Sequence, residues 1–213
     1  MGQPPPARDL PDDLELPLVT GEPWWYWLGG RPALDLVNTR RERWRRRVET
    51  LVTPADLGLW LERAGVMSVS ADVAATSEVL AEARDLREAI DACVTASVEG
   101  TPAPRAAVKR IDGWLKYAGA RPALVLDPSG VPVLGERGEG HSPRRALGAI
   151  ALDAARMLGD PTERARVRVC ASETCSARFY DRSPAGRRRW CSMRTCGNEA
   201  KARRHRARSR VAA

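Results

Sequence analysis

Four cysteines near the end of the chain, Cys170, Cys175, Cys191 and Cys196, constrain its fold more than any other feature. They form two pairs, each with four intervening residues, and fifteen residues lie between the pairs. A short-spaced pair closes a tight knuckle whose sulfurs point the same way. Two knuckles brought together offer a tetrahedron of thiolates, the donor set and geometry that zinc accepts. An iron–sulfur cluster takes the same four donors, and two disulfides would need an oxidising compartment. Zinc is the assignment that the spacing favours, as one structural ion, because four thiolates leave no open position for substrate. The fifth cysteine, Cys93, falls on an apolar helical stripe and reads as a small core residue.

Between the knuckles lies "SARFYDRSPAGRRRW". "ARFYD" and "RRRW" are expected to pair as a hairpin across Ser-Pro-Ala-Gly, with Phe179, Tyr180 and Trp190 as a miniature core beside the metal. Past Cys196, Gly197 and Asn198 start a helix whose first turn holds Glu199. That helix has no apolar stripe. Arg164 to Ala213 carries fifteen Lys and Arg against three acids, in a chain whose net charge is +8. A near-neutral body thus ends in a strongly basic tail, a distribution that speaks to partners rather than to fold. Arg187, Arg188 and Arg189 on the expected hairpin, with Lys201, Arg203, Arg204, Arg206 and Arg208 on the helix, are the candidate nucleic-acid contacts. DNA is the first partner they suggest. RNA is the alternative, as an RNA- or ribosome-associated zinc protein.

The body reads as mainly helical. Residues 1–22, rich in proline and acid, form a flexible lead-in. "ALDLVNT" (33–39) reads as a short strand or extended segment that puts Ala33, Leu34, Leu36 and Val37 into the core. "RRERWRRRVETL" reads as a loop or helical turn. Thr53 caps a helix that has Pro54 at its first position and ends at Gly65. A long helix spans 72–100, and a third follows over 104–119 with Val108, Ile111, Trp114 and Leu115 on its buried side. Residues 123–134 form a β-hairpin around Asp-Pro-Ser-Gly. Ser142 and Pro143 then open a further helix. The fold class is α+β: a mainly helical domain with a small hairpin over 23–160, then a small four-cysteine finger of two knuckles, a hairpin and a basic helix over 165–210.

No Gly-rich phosphate loop, nucleophile elbow or catalytic histidine–carboxylate pair occurs, so the expectation is a binding protein and not an enzyme. No stretch approaches a membrane span, and the first residues lack the apolar run of a secretory signal. A cytoplasmic protein without a membrane partner is expected. The tryptophans at 24, 25, 27, 44, 60 and 114 either fill the core or line a small-molecule pocket in the helical domain.

The segment from Cys170 to Arg208 resembles the CGNR zinc finger, on "GRRRWCSMRTCGN" and "AKARRHRAR". "ALDLVNT" and "LVTPADLGLWLERAGV" (51–66) are similar to its partner, the ABATE domain, described as a stress-induced transcription regulator. The resemblance spans about 25 to 208. It implies zinc on the four cysteines and a bacterial DNA-binding regulator of stress responses, whose helical domain acts as sensor or as the contact of a homodimer. The signature tetrapeptide stands here as Cys196-Gly197-Asn198-Glu199, with glutamate where the family has arginine.

Overall fold

A computed structural model describes residues 10–67, 74–119, 121–137 and 142–211. Its centre is a helical core, to which two short β-ribbons and the cysteine module are attached. The first helix, α1 (Pro32–Val37), replaces the strand expected there. Apolar residues at 33, 34, 36 and 37 fit a 3.6-residue period better than alternation, Pro32 supplies a preset first position, and all four apolar side chains are buried. The Asp35 carboxylate folds back to accept the Gly29 N–H at 2.8 Å.

The arginine-rich segment forms the expected turn around Trp44, closed at its base by a small antiparallel ribbon that was not expected, β1 (Arg40–Arg41) and β2 (Val48–Glu49). Helix α2 (Pro54–Arg63) starts as expected: Thr53 and Asp56 exchange side-chain and backbone hydrogen bonds in a capping box. The long helix, α3 (Ser77–Glu99), is capped by Thr76 and ends at Gly100 in the left-handed conformation. Helix α4 (Arg105–Trp114) runs on into a 3₁₀ turn, Leu115–Tyr117. There Val108 is 50% exposed instead of buried. Strands β3 (Arg121–Leu126) and β4 (Pro132–Arg137) form the expected hairpin. Helix α5 (Pro143–Gly159), capped by Ser142, packs on α1, α3 and α4, and α6 (Pro161–Arg164) leads out of it.

Trp25, Leu34, Leu57, Trp60, Leu86, Ile90, Leu147 and Ile150 lie in this core. Trp27 stacks on Trp60 with centroids 5.5 Å apart. The lead-in packs from Leu10 onward, contrary to the flexible tail expected: Leu10 and Leu18 are buried with Val48, while Thr20 Oγ1 and the Gly21 N–H donate to Asp56 at 2.8 and 3.0 Å. A Cβ on Gly21 would lie 1.6 Å from the Thr50 carbonyl oxygen, so only glycine lets the chain pass there. Most of the prolines and acids of this stretch stay exposed, while Leu10, Leu18 and the bonds to Asp56 pin it to the body. Residues 1–9 lie outside the described residues. Among the described residues no helix is long and apolar enough to cross a membrane.

Candidate metal centre and cationic surface

Strand β5 (Val167–Val169) pairs antiparallel with β6 (Arg178–Tyr180), and the two strands bracket the first cysteine pair. The Cys170 N–H donates to the Ala177 carbonyl just beyond this ladder, at 2.9 Å, which sets the first knuckle. The second knuckle, a wide π-helical turn over Met193–Gly197, leads directly into α7 (Asn198–Val211). All four cysteines are buried and their sulfurs lie within 4.8 Å of one another. Cys175 Sγ is 3.8 Å from Cys191 Sγ, and Cys191 Sγ is 3.7 Å from Cys196 Sγ. A tetrahedron with zinc–sulfur bonds of about 2.3 Å has edges of about 3.8 Å. Disulfide-bonded sulfurs would be about 2.05 Å apart. The quartet therefore fits one tetrahedral zinc ion, and it is a zinc-binding site.

Sulfurs this close share protons. Hydrogen bonding to Cys170 holds the Cys191 thiol far above the ordinary thiol range, and the thiols that donate to Cys170 pull it far below. A bound cation favours the thiolate form at every ligand. The Ala177 N–H donates to Cys175 Sγ at 3.4 Å and supports that form.

Several arginines brace the module; besides Arg182, whose Nη2 donates to the Gly30 carbonyl, five do so. Arg166 Nη1 donates to the Ser183 carbonyl and Arg168 Nη2 to Gly186. Arg188 Nη2 donates to the Cys191 carbonyl at 2.7 Å, and its guanidinium lies over the Phe179 ring. Arg203 is clamped between Glu173 at 2.6 Å and Glu199 at 2.7 Å. Glu199, the departure from the family tetrapeptide, thus holds Arg203 one turn along the same helix, and Arg203 ties that helix to Glu173 in the first knuckle. The fifth is Arg178, described below. Of the candidate contacts, Arg187, Arg189, Lys201, Arg204, Arg206 and Arg208 are exposed, and Arg189 stands over Trp190 with 5.1 Å to the ring centroid. Arg188 is half-buried against Phe179, and Arg203, though its side chain is 42% exposed, is taken up by Glu173 and Glu199.

The expected pairing of "ARFYD" with "RRRW" does not form. Val167–Val169 takes the strand position instead. The buried Asp181 carboxylate accepts the N–H groups of Ser183 and Arg188 at 2.9 and 2.8 Å, so backbone that a ladder would have used is satisfied by a side chain. Phe179 and Trp190 pack by the cysteines as expected, but Tyr180 turns to the helical core and donates to Glu163 at 3.0 Å.

Residues with no motif of their own fix the module to the body. The Asn38 side chain behaves like an added strand residue: Nδ2 donates to the Arg178 carbonyl at 2.9 Å, and Oδ1 accepts the Arg178 N–H at 2.8 Å. The Tyr180 N–H donates to Gly29 at 2.8 Å. The buried Arg178 guanidinium lies 2.7 Å from Asp91 Oδ1, an ion pair off the hydrogen-bonding axis, and faces the Trp44 ring. Burial pulls the Arg178 pKa down against Asp91, which holds it up. Trp44 Nε1 donates to Glu173. Arg31 bridges Asp153 and Glu163 beside Tyr180. "ALDLVNT" held the signal for Asn38, a buried amide after a helix, but its partner 140 residues on is invisible locally.

A cavity of about 460 Å³ opens between α3, α4 and α5, lined by Cys93, Val108, Ile111, Leu115 and Leu158 with Arg164 at one end. None of the tryptophans lines it.

Two families of known proteins match the chain. Residues 30–161 match the ABATE family, described as "Putative stress-induced transcription regulator", and residues 166–209 match the CGNR zinc finger. No curated protein matches the chain.

Proposed function

Because the chain belongs to the ABATE family and ends in a CGNR zinc finger, we propose that it is a transcription regulator that binds duplex DNA through its C-terminal module, in the cytoplasm and in response to stress. One observation carries this reading. Six exposed cations, Arg187, Arg189, Lys201, Arg204, Arg206 and Arg208, stand on one small module whose bracing arginines and buried cysteines fix its shape. A cationic helix without an apolar stripe has no folding use for its charge, and phosphate contact with counterion release supplies one. Zinc here acts as a structural ion: it joins the knuckles and sets the direction of α7. With four thiolates the shell is full, which supports binding and not catalysis.

The helical domain serves as sensor in this reading. The cavity is of ligand size and mostly apolar, suited to a small apolar molecule. Its wall at Leu158 and Gly159 continues into α6, where Glu163 accepts from Tyr180 of the finger. Occupancy there has a short route to the DNA-binding module.

The test is binding of the zinc-loaded chain to duplex DNA over a salt series, with structured RNA as competitor. Six phosphate contacts predict that log K falls with log salt at a slope of about −5. Cys191→Ser should lose tight zinc and most of the affinity. No DNA binding at low salt, or a clear preference for structured RNA, would overturn the reading.

A further inference from the structure

Among the described residues the β3–β4 hairpin carries the most exposed leucine side chains of the body. Its register places Leu124 opposite Leu134 and Leu126 opposite Pro132. Residues directly opposite, and residues two apart along a strand, share a face, so these four form one patch. Leu124, Leu126 and Leu134 are 71%, 70% and 81% exposed. On the other face Ala123 and Val125 are half-buried and Val133 is 38% exposed. Beyond each other, neither strand packs appreciably on another described element, and no third strand extends the ribbon. A lone two-stranded hairpin is marginal in water, and a leucine face of this kind marks a contact surface.

The hairpin is nonetheless set up in advance. The Asp127 carboxylate accepts from the Ser129 N–H at 2.9 Å, the Ser129 hydroxyl at 2.6 Å and the Val131 N–H at 2.9 Å. Gly130 takes the positive φ the turn requires. The surface is therefore built before its partner arrives.

We propose that the partner is a second copy of this chain, its hairpin packed face to face on the first about a two-fold axis. The four residues expose on the order of 500 Å² a side, so two copies would bury at most about 1,000 Å², the lower limit of a biological interface. Within the patch itself there is no charge for a charged partner to meet; leucine and proline suit an identical face. A two-fold interface is self-complementary, so one patch serves both subunits. Two such sheets pack about 10 Å apart with interdigitated leucines.

Sedimentation equilibrium of the full-length, zinc-loaded chain without nucleic acid, from about 1 to 100 μM, tests this separately from DNA binding. The mass should rise from 23.4 kDa toward twice that value, with a micromolar dissociation constant as befits a small interface. The double variant Leu124→Lys/Leu134→Lys should weaken association at least about 100-fold, while helicity and zinc content stay at wild-type values. Should that variant misfold, Leu134→Ser, at the most exposed of these positions, should still weaken it about tenfold. A monomer throughout the range, or association that a folded variant leaves unchanged, would overturn the proposal.

Discussion

Single residues in this protein are governed by what buries them. Burial pushes the Asp35 carboxyl up to about 7, against the Gly29 N–H that favours its charged form. A carboxyl whose folded pKa is raised contributes stability that is full below its unfolded value near 3.8 and is lost as pH rises through 7. Asp35→Asn, which keeps an acceptor for Gly29, should flatten that decline and raise unfolding free energy at pH 8 by roughly 2 kcal/mol. Urea denaturation of the zinc-loaded protein between pH 6 and 8 measures it; an unchanged pH slope would refute it. Glu88 titrates the other way. Burial raises its pKa, but Arg43 and Arg87 outweigh burial and hold the carboxyl at about 2, so its contribution fades only as pH falls from the ordinary range toward 2. The cysteine quartet was legible in the sequence, since spacing alone reports a knuckle. The engagement of Arg188 and Arg203 within the protein was not, because an arginine in a basic run looks the same whether it meets phosphate or its own Glu173 and Cys191 carbonyl.

At the scale of elements, capped helices were the most legible. Thr53, Ser142 and Gly100 stand where the chain needs a side-chain acceptor or a left-handed residue. Two segments misled: "RRRW" is too short for period to separate strand from loop, and in "ALDLVNT" the helical period rests on only four apolar residues. Distant groups decided them, Asp153 accepting the Ala33 N–H and Asp181 the Arg188 N–H. The fit of α5 against the turn after α4 gives a sharp test. A Cβ on Gly148 would lie 2.6 Å from the Tyr117 carbonyl carbon and 2.8 Å from the Ala118 nitrogen, both backbone. Gly148→Ala should therefore destabilise the protein by about 1–3 kcal/mol despite alanine's better helix propensity. Thermal unfolding would show a lower midpoint, and a rise would refute the packing.

For the whole molecule, body and finger share their hydrogen bonds. Asn38→Ala removes both amide bonds to Arg178 and leaves its buried backbone groups unpaired, at a cost of about 1–3 kcal/mol. The expected result is amide exchange of residues 167–180 faster by roughly 10–100-fold, with α3 protection changed much less and zinc retained. Equal loss of protection in α3 and β6 would argue that the two halves open only together. This joint was not legible in the sequence, because its contacts cross 140 residues and no motif marks both ends.

The same joint makes α7 a lever. Fourteen helical residues reach about 21 Å. A tilt of about 6° at its root would swing the far guanidinium groups by about 2 Å, more than the tolerance of a hydrogen bond. A ligand-induced shift too small to be noticed inside the helical body would, at that distance, be the difference between gripping a DNA strand and letting it go.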